Sequence, residues 1–315
     1  MTSGPAGGLW RGLSVAITTP FDAELGIDRE ALERHARWLV DHGVERIVAA
    51  GSLGEGASLT AEERIAVTRT LVAAVGPSVP IISAIGAAAT RDAVSLARAA
   101  ADAGARGLLV LPPYVYRGDR REITEHFHAV FRATDLPCML YNNPGAYGVD
   151  VGPETILDLA EEHPGFTGVK ESSGDVRRLS AIRALLGERL DLAVGLDDAV
   201  VEGVASGALG WISGLANALP EESRALFDAA LGADRGRAFE IYGWFLPLLR
   251  MDTEPKFVQL IKSVEAELGG GPARVRPPRL GLDDAETARV RAVVREALAR
   301  RPTGLPASPA PPPRS

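Results

Sequence analysis

Cysteine is nearly absent from this chain. The single Cys138 in 315 residues excludes an internal disulfide framework and any cysteine cluster for zinc or iron–sulfur. Lysine is almost as scarce: Lys170, Lys256 and Lys262 are the only three, and the rest of the 34 basic residues are arginine. No apolar run approaches the ~20 residues of a membrane span. The opening MTSGPAGGLW has neither the cationic n-region nor the apolar h-region of a signal peptide. Positive charge is also in deficit, with a net charge of −7, and an acidic chain makes a poor nucleic-acid binder. The expectation is a cytoplasmic, enzyme-sized protein with no nucleic-acid partner and no membrane partner.

What is present is a repeat. Short apolar runs at 13–17, 46–50, 80–85, 107–111, 137–141, 166–170, 190–194 and 209–213 show little polar alternation. Strands buried on both faces read this way. Amphipathic stretches alternate with them, for example at 29–42, 60–75, 91–103 and 175–186, with apolar residues returning every three or four positions. Asp28 and Thr60 stand where N-caps belong, and Gly43, Gly76, Gly104 and Gly187 where helices stop. Eight such units predict a parallel (β/α)8 barrel, an α/β fold with a C-terminal helical appendix. A doubly wound open sheet is disfavoured by the count of eight and by the lack of G-x-G-x-x-G after the first run. The expected divisions are a flexible N-terminus over 1–8, the barrel over 9–232, a helical domain over 233–300 and a disordered Pro-rich tail over 301–315.

In such a barrel the active site lies at the C-terminal ends of the strands. Lys170 ends the sixth run. An ammonium ion held in the barrel mouth is poorly solvated, which favours the free amine, and an amine attacks a ketone to form a Schiff base. A plainer alternative pairs Lys170 with Glu171, Asp197 or Asp198. Tyr141 ends the fifth run, where a phenol can shuttle a proton; it can equally be a core tyrosine. Ser52 sits in the loop Gly51-Ser52-Leu53-Gly54-Glu55-Gly56, where its hydroxyl can serve Tyr141 and the loop N–H groups can hold a carboxylate. Leu53, Gly54, Ile212, Ser213, Asp197 and Tyr114 complete the candidate substrate-binding set, although Asp197 and Asp198 can simply cap the next helix. Histidines 35, 42, 126, 128 and 163 fall in or near helices without ligand spacing at a strand end, so no metal site is expected.

Five motifs then fall into order: Ala16-Ile17-Thr18-Thr19-Pro20-Phe21, Gly51-Ser52-Leu53-Gly54-Glu55, Tyr141-Asn142-Asn143-Pro144, Gly168-Val169-Lys170-Glu171-Ser172 and Gly207-Ala208-Leu209-Gly210-Trp211-Ile212-Ser213. With them the chain resembles the dihydrodipicolinate synthase / N-acetylneuraminate lyase superfamily from about Leu9 to Leu298. The resemblance implies class I chemistry on a 2-oxo acid, no metal, no organic cofactor and usually a homotetramer. It makes Lys170 the Schiff-base lysine and Tyr141 the proton-shuttling tyrosine, and it puts Ser52 in the first hydroxyl position of a Gly-Thr-Thr-Gly-Glu type motif.

Several positions depart from the synthase pattern. Leu53 takes the second hydroxyl position. Gly145-Ala146-Tyr147-Gly148 lacks the arginine that holds a distal carboxylate, and Val115 replaces a tyrosine lent across a subunit contact, with Tyr116 one residue late. Gly-Ser-Leu-Gly-Glu-Gly-Ala with Leu-Pro-Pro-Tyr-Val-Tyr looks most like the deaminases of hydroxyproline breakdown, which act on 1-pyrroline-4-hydroxy-2-carboxylate. The alternatives are dihydrodipicolinate synthase itself (pyruvate with aspartate semialdehyde), a 2-keto-3-deoxy sugar acid aldolase or dehydratase, and a non-catalytic binding barrel. For the sugar acid, hydroxyl-binding side chains are limited to Ser172, Ser173, Ser213 and Asn217.

Overall fold

Eight short, mostly apolar runs bury both faces when the sheet closes on itself and is covered outside by helices. The computed structural model describes residues 8–232 and 234–314. Its strands are β1 (Gly12–Ala16), β2 (Arg46–Ala49), β3 (Ile81–Ile85), β4 (Gly107–Val110), β5 (Cys138–Asn142), β6 (Phe166–Glu171), β7 (Asp191–Val194) and β8 (Gly210–Ser213). They pair in sequence order, all parallel, and β8 closes on β1. The outer helices are α1 (Arg29–Asp41), α2 (Ala61–Val75), α3 (Thr90–Asp102), α4 (Arg120–Phe131), a single turn α5 (Pro144–Tyr147), α6 (Pro153–Glu162), α7 (Arg177–Leu186), α8 (Val200–Ala205) and α9 (Pro220–Leu231). Beyond them follow α10 (Arg235–Leu249), α11 (Phe257–Glu267) and α12 (Asp284–Ala299).

Local chemistry sets the element ends. The Asp28 carboxylate accepts from Ala31 N–H, and Thr60 and Glu63 form a reciprocal capping box. Asp175 was expected inside the seventh helix. Its carboxylate instead accepts from Arg177 N–H in a local turn, so α7 starts two residues later. β2 stops at Ala49 because Ala50 adopts φ +52° and turns the chain into the Gly51–Gly56 loop.

A buried polar network ties that loop to the helical appendix. Lys262 Nζ on α11 donates to Glu55 Oε1 (2.5 Å) and to the carbonyls of Thr19 and Arg274 (2.7 Å each). Glu55, itself in the left-handed region at φ +57°, also accepts from Arg276 N–H. Glu265, one turn along α11, accepts from Thr18 Oγ1 and from the Arg314 guanidinium.

The tail therefore corrects the expectation drawn from its composition. Leu305 and Arg314 are buried, and Ser308 bonds Glu222. Proline lacks an N–H and favours extended backbone, but this segment is anchored by the side chains between its prolines. The expected flexible N-terminus lies outside the described residues except for Gly8, as do Ala233 and Ser315.

His35 completes this network as a neutral imidazole. Its Nε2–H donates to the Asn217 carbonyl while Nδ1 accepts from Arg314. Burial first, and the Arg314 charge second, lower its pKa to about 3.

Two outcomes follow for stability. Arg314→Ala or Lys262→Met leaves a buried carboxylate without its cation and should cost about 3–5 kcal/mol, read by urea denaturation. Below pH 6.5 the unfolded chain binds a proton at His35 that the folded chain refuses until about pH 3. Stability thus falls as pH drops through that window, and His35→Leu should remove about one proton from the acid slope.

Candidate functional site

Parallel register brings Tyr141 on β5 directly beside Lys170 on β6. Strand alternation then points both side chains inward and sends Glu171 to the other face. There Glu171 accepts from Asn142 Nδ2 (3.1 Å) and Ser173 N–H (2.6 Å). Lys170 is 6 % exposed, and its Nζ sits 4.3 Å from the centroid of the Tyr141 ring. It makes no hydrogen bond and no ion pair among the described residues. The other buried lysine, Lys262, has three acceptors. The plainer alternative of a paired lysine thus describes Lys262, not Lys170.

Asp197 is the second rejected partner. It is fully buried, and accepts from Trp211 Nε1 (2.9 Å), Ser213 Oγ (3.0 Å) and the backbone N–H groups of Gly214 and Leu215. Burial raises its pKa to about 6 against the pull of these donors. It shapes the loop after β8 and does not reach the cavity, which corrects its expected substrate-binding position. Ser213 is likewise turned inward, to Asp197 and Ala216 N–H. Gly54 does not line the cavity either; its carbonyl accepts from Thr19 Oγ1 and fixes the loop.

The cavity at the C-terminal end of the barrel has a volume of about 580 Å³. Lys170, Tyr141, Ser52, Leu53 and Ile212 all line it, as expected from the sequence. Lys170 is the only cation on its described walls; Ala146 and Gly145 occupy the stretch after β5. A side chamber of about 210 Å³ shares Ser52 and Tyr147 and adds Tyr114, Arg64 and Arg279. Tyr114 thus lies beside the main cavity, its ring 6.2 Å from that of Tyr147. Val115 and Tyr116 point away from it, 74 % and 58 % exposed.

Tyr147 was missed as a site residue. The turn α5, capped by Asn143, carries its ring back edge-on to Tyr141, with centroids 5.7 Å apart and planes at 82°. Its hydroxyl is hydrogen-bonded to Ser52 Oγ. Burial, and next the adjacent Tyr141, raise its pKa well above the ordinary phenol value, so it stays protonated. Ser52 therefore reaches Tyr141 through Tyr147, not directly. The available signal was a second tyrosine one short turn past the strand-end tyrosine.

Asp252 was missed as well. It belongs to the turn between α10 and α11, lines the same cavity, and has no hydrogen-bond or ion-pair partner among the described residues. Burial raises its pKa well above the carboxylate range. Asp197 adds to this, Lys170 opposes it, and Asp198 adds a smaller contribution. Ser172 Oγ, also on the cavity wall, is buried without a partner.

One group outside the mouth qualifies the expectation of no metal ligands. Ligand atoms of His128, Glu162 and His163 lie within 4.8 Å of one another. They stand at the C-terminal ends of α4 and α6, which the antiparallel course of the helices puts at the opposite end of the barrel. No helix of the described residues is long and apolar enough to cross a membrane.

Comparison with known proteins agrees with the motif order. A model of the dihydrodipicolinate synthetase family matches residues 9–297. A 4-hydroxy-tetrahydrodipicolinate synthase of Halorhodospira halophila is 36 % identical over 294 residues, covering 92 % of this chain and 97 % of that protein. The dihydrodipicolinate synthase structure from Aquifex aeolicus superposes with a TM-score of 0.88 at 31 % identity, covering 95 % of this chain and 99 % of its own. YagE, a prophage protein of the same family from E. coli K12 solved in complex with pyruvate, gives 0.87 at 26 % identity, covering 92 % and 99 %. With a matching family model over nearly its whole length and an eight-stranded barrel to carry it, the chain belongs to the dihydrodipicolinate synthetase family and is a Schiff-base-forming lyase.

Proposed function

We propose that Lys170 attacks carbon 2 of a small 2-oxo acid or cyclic imino acid and holds it as a Schiff base. The observation that carries this reading is an amine without a partner, buried at the end of β6 and facing the ring of Tyr141. An amine held by no acceptor is free to attack a carbonyl carbon, and the Schiff base it forms, protonated on nitrogen, is the electron sink for the carbon-3 pair. Tyr141 takes and returns the proton at carbon 3, and Tyr147 and Ser52 connect its hydroxyl to the Gly51–Gly56 loop. The substrate's 1-carboxylate rests on backbone N–H groups at Ser52 and Leu53, because Leu53 has no hydroxyl to offer.

For the named reaction, kinship favours the synthase: relatives at 31–36 % identity over most of the chain carry that name, which makes condensation of pyruvate with aspartate semialdehyde the better supported choice. Arg64 and Arg279 in the side chamber are the cations available to a distal carboxylate. Deamination of 1-pyrroline-4-hydroxy-2-carboxylate is a second reading, and a different observation favours it. Among the described residues the main cavity has no cation besides Lys170, and a second carboxylate left unpaired there is strongly disfavoured.

Borohydride with pyruvate should add one pyruvate-derived unit, mapped by peptide mass to Lys170; an adduct of full strength on Lys256 or Lys262 would overturn the assignment. Lys170→Ala should abolish adduct and turnover yet unfold no earlier than wild type, since the side chain breaks no polar contact. Tyr141→Phe should slow turnover by about 10²–10⁴ with binding retained, and Tyr147→Phe should slow it by a smaller factor of about 10–10². Side-by-side kcat/KM values for the two substrate sets separate the two readings. If the semialdehyde wins, Arg279→Ala should raise its KM, whereas the cyclic imine would be indifferent to that change.

A further inference from the structure

We propose that Asp252 is the acid that binds and protonates the oxygen on the substrate's β-carbon, the second carbon beyond the Schiff-base carbon. This rests on the Schiff-base reading of Lys170 and extends it to a substrate class: 2-oxo or imino acids that carry, or acquire in the reaction, an oxygen at carbon 4.

Around the rim the order is Tyr141 on β5, Lys170 on β6, Gly195 after β7 and Gly214 after β8. Both glycines are places where a side chain would collide with cavity groups. A Cβ on Gly195 would fall 1.9 Å from Ser172 Oγ and 2.5 Å from Lys170 Cε; one on Gly214 would fall 1.9 Å from Asp252 Oδ1. The rim is thus kept bare on the side of Lys170 away from Tyr141, and Asp252 leans into that space from the helical appendix. Tyr141 and Asp252 flank the lysine, one for each of two adjacent substrate carbons.

Asp252 differs from its neighbours in being unpartnered. Asp197 has four donors; Glu171 has Asn142 and Ser173. A carboxyl group facing a cavity with no partner loses solvation and gains nothing unless a ligand supplies one. Its surroundings also select its form. Asp197 and Asp198 repel a second negative charge, against which Lys170 is the opposing cation. A protonated carboxyl there offers one O–H donor and one acceptor, which matches a hydroxyl or an aldehyde oxygen.

The proton balance is simple in both directions that the family chemistry allows. Loss of the carbon-3 proton to Tyr141 gives the enamine. In addition, carbon 3 bonds to an aldehyde carbon, the C=O π pair moves to oxygen, and that oxygen takes the Asp252 proton. In elimination, the enamine pair forms the carbon 3–carbon 4 double bond, the C–O bond breaks, and the oxygen leaves as water with the Asp252 proton. Either way Asp252 ends as a carboxylate and regains a proton from solvent.

The test uses 2-oxopentanoate and 4-hydroxy-2-oxopentanoate, which differ by one hydroxyl. Half-saturation of borohydride trapping on Lys170 should favour the hydroxy acid by about tenfold in wild type. Asp252→Ala should erase that preference. Asp252→Asn, which keeps the shape and a hydrogen bond but cannot give a proton, should keep part of it while release of water from the hydroxy acid falls by about 10²–10⁴. Exchange of the pyruvate methyl protons in D2O, followed by NMR, needs no β-oxygen and should stay within about threefold in both variants. A preference that survives Asp252→Ala, one absent from wild type, or an exchange rate that collapses with turnover would each overturn the role. Failure of wild type to trap pyruvate would instead reject the Schiff-base reading beneath it.

Discussion

The Glu55–Lys262 ion pair is the constraint on which the geometry of the mouth depends. It holds a glutamate in left-handed backbone, and so fixes the path of the loop that carries Ser52 and Leu53. It also fastens α11 to the barrel, which sets where the turn before α11 places Asp252. Lys262 is fully buried, and burial lowers its pKa to about 8 in spite of Glu55, so the contact is made at a cost in solvation. Three acceptors around one ammonium group offset that cost and specify a single arrangement.

The two buried lysines show one residue type in two opposite surroundings. Scarcity of lysine drew attention to the residue type, and position at a strand end pointed to Lys170 alone. Only the number of acceptors around each separates them: Lys262 is saturated, Lys170 has none. The same contrast separates two aspartates, the buried Asp197 with its four donors and the half-buried Asp252 with no hydrogen-bond partner among the described residues. At the mouth, Lys170, Asp252 and Ser172 Oγ are left without hydrogen-bond partners among the described residues, while Lys262 and Asp197 are saturated and shape the walls.

Much of this was legible in the chain because it is local. Strands buried on both faces read as mostly apolar runs, and the position of Lys170 and Tyr141 on the cavity wall was legible because strand ends face the mouth. What escaped depends on distant approach. Tyr147 meets Ser52 across 95 residues, and Asp252 comes from an appendix whose docking no periodicity encodes. Asp197 was misplaced because a residue next to a strand end can turn into the wall as easily as into the cavity. The tail was misread because six prolines in its last fourteen residues outweighed one arginine, and nothing in the local pattern announces a buried carboxylate waiting for it.

That arginine has a consequence for the order of assembly. Arg314 bonds Thr18 across 296 positions, and Glu265 bonds Thr18 across 247. Contacts of such sequence separation are reached only after the loop between them has been closed, so they belong to the end of folding. Thr19, next in line, holds the carbonyl of Gly54 in the loop beneath the mouth. The strands can therefore pair in order from β1 to β8, while the closing β8–β1 pair and the contacts of the helical appendix and tail at the mouth come late.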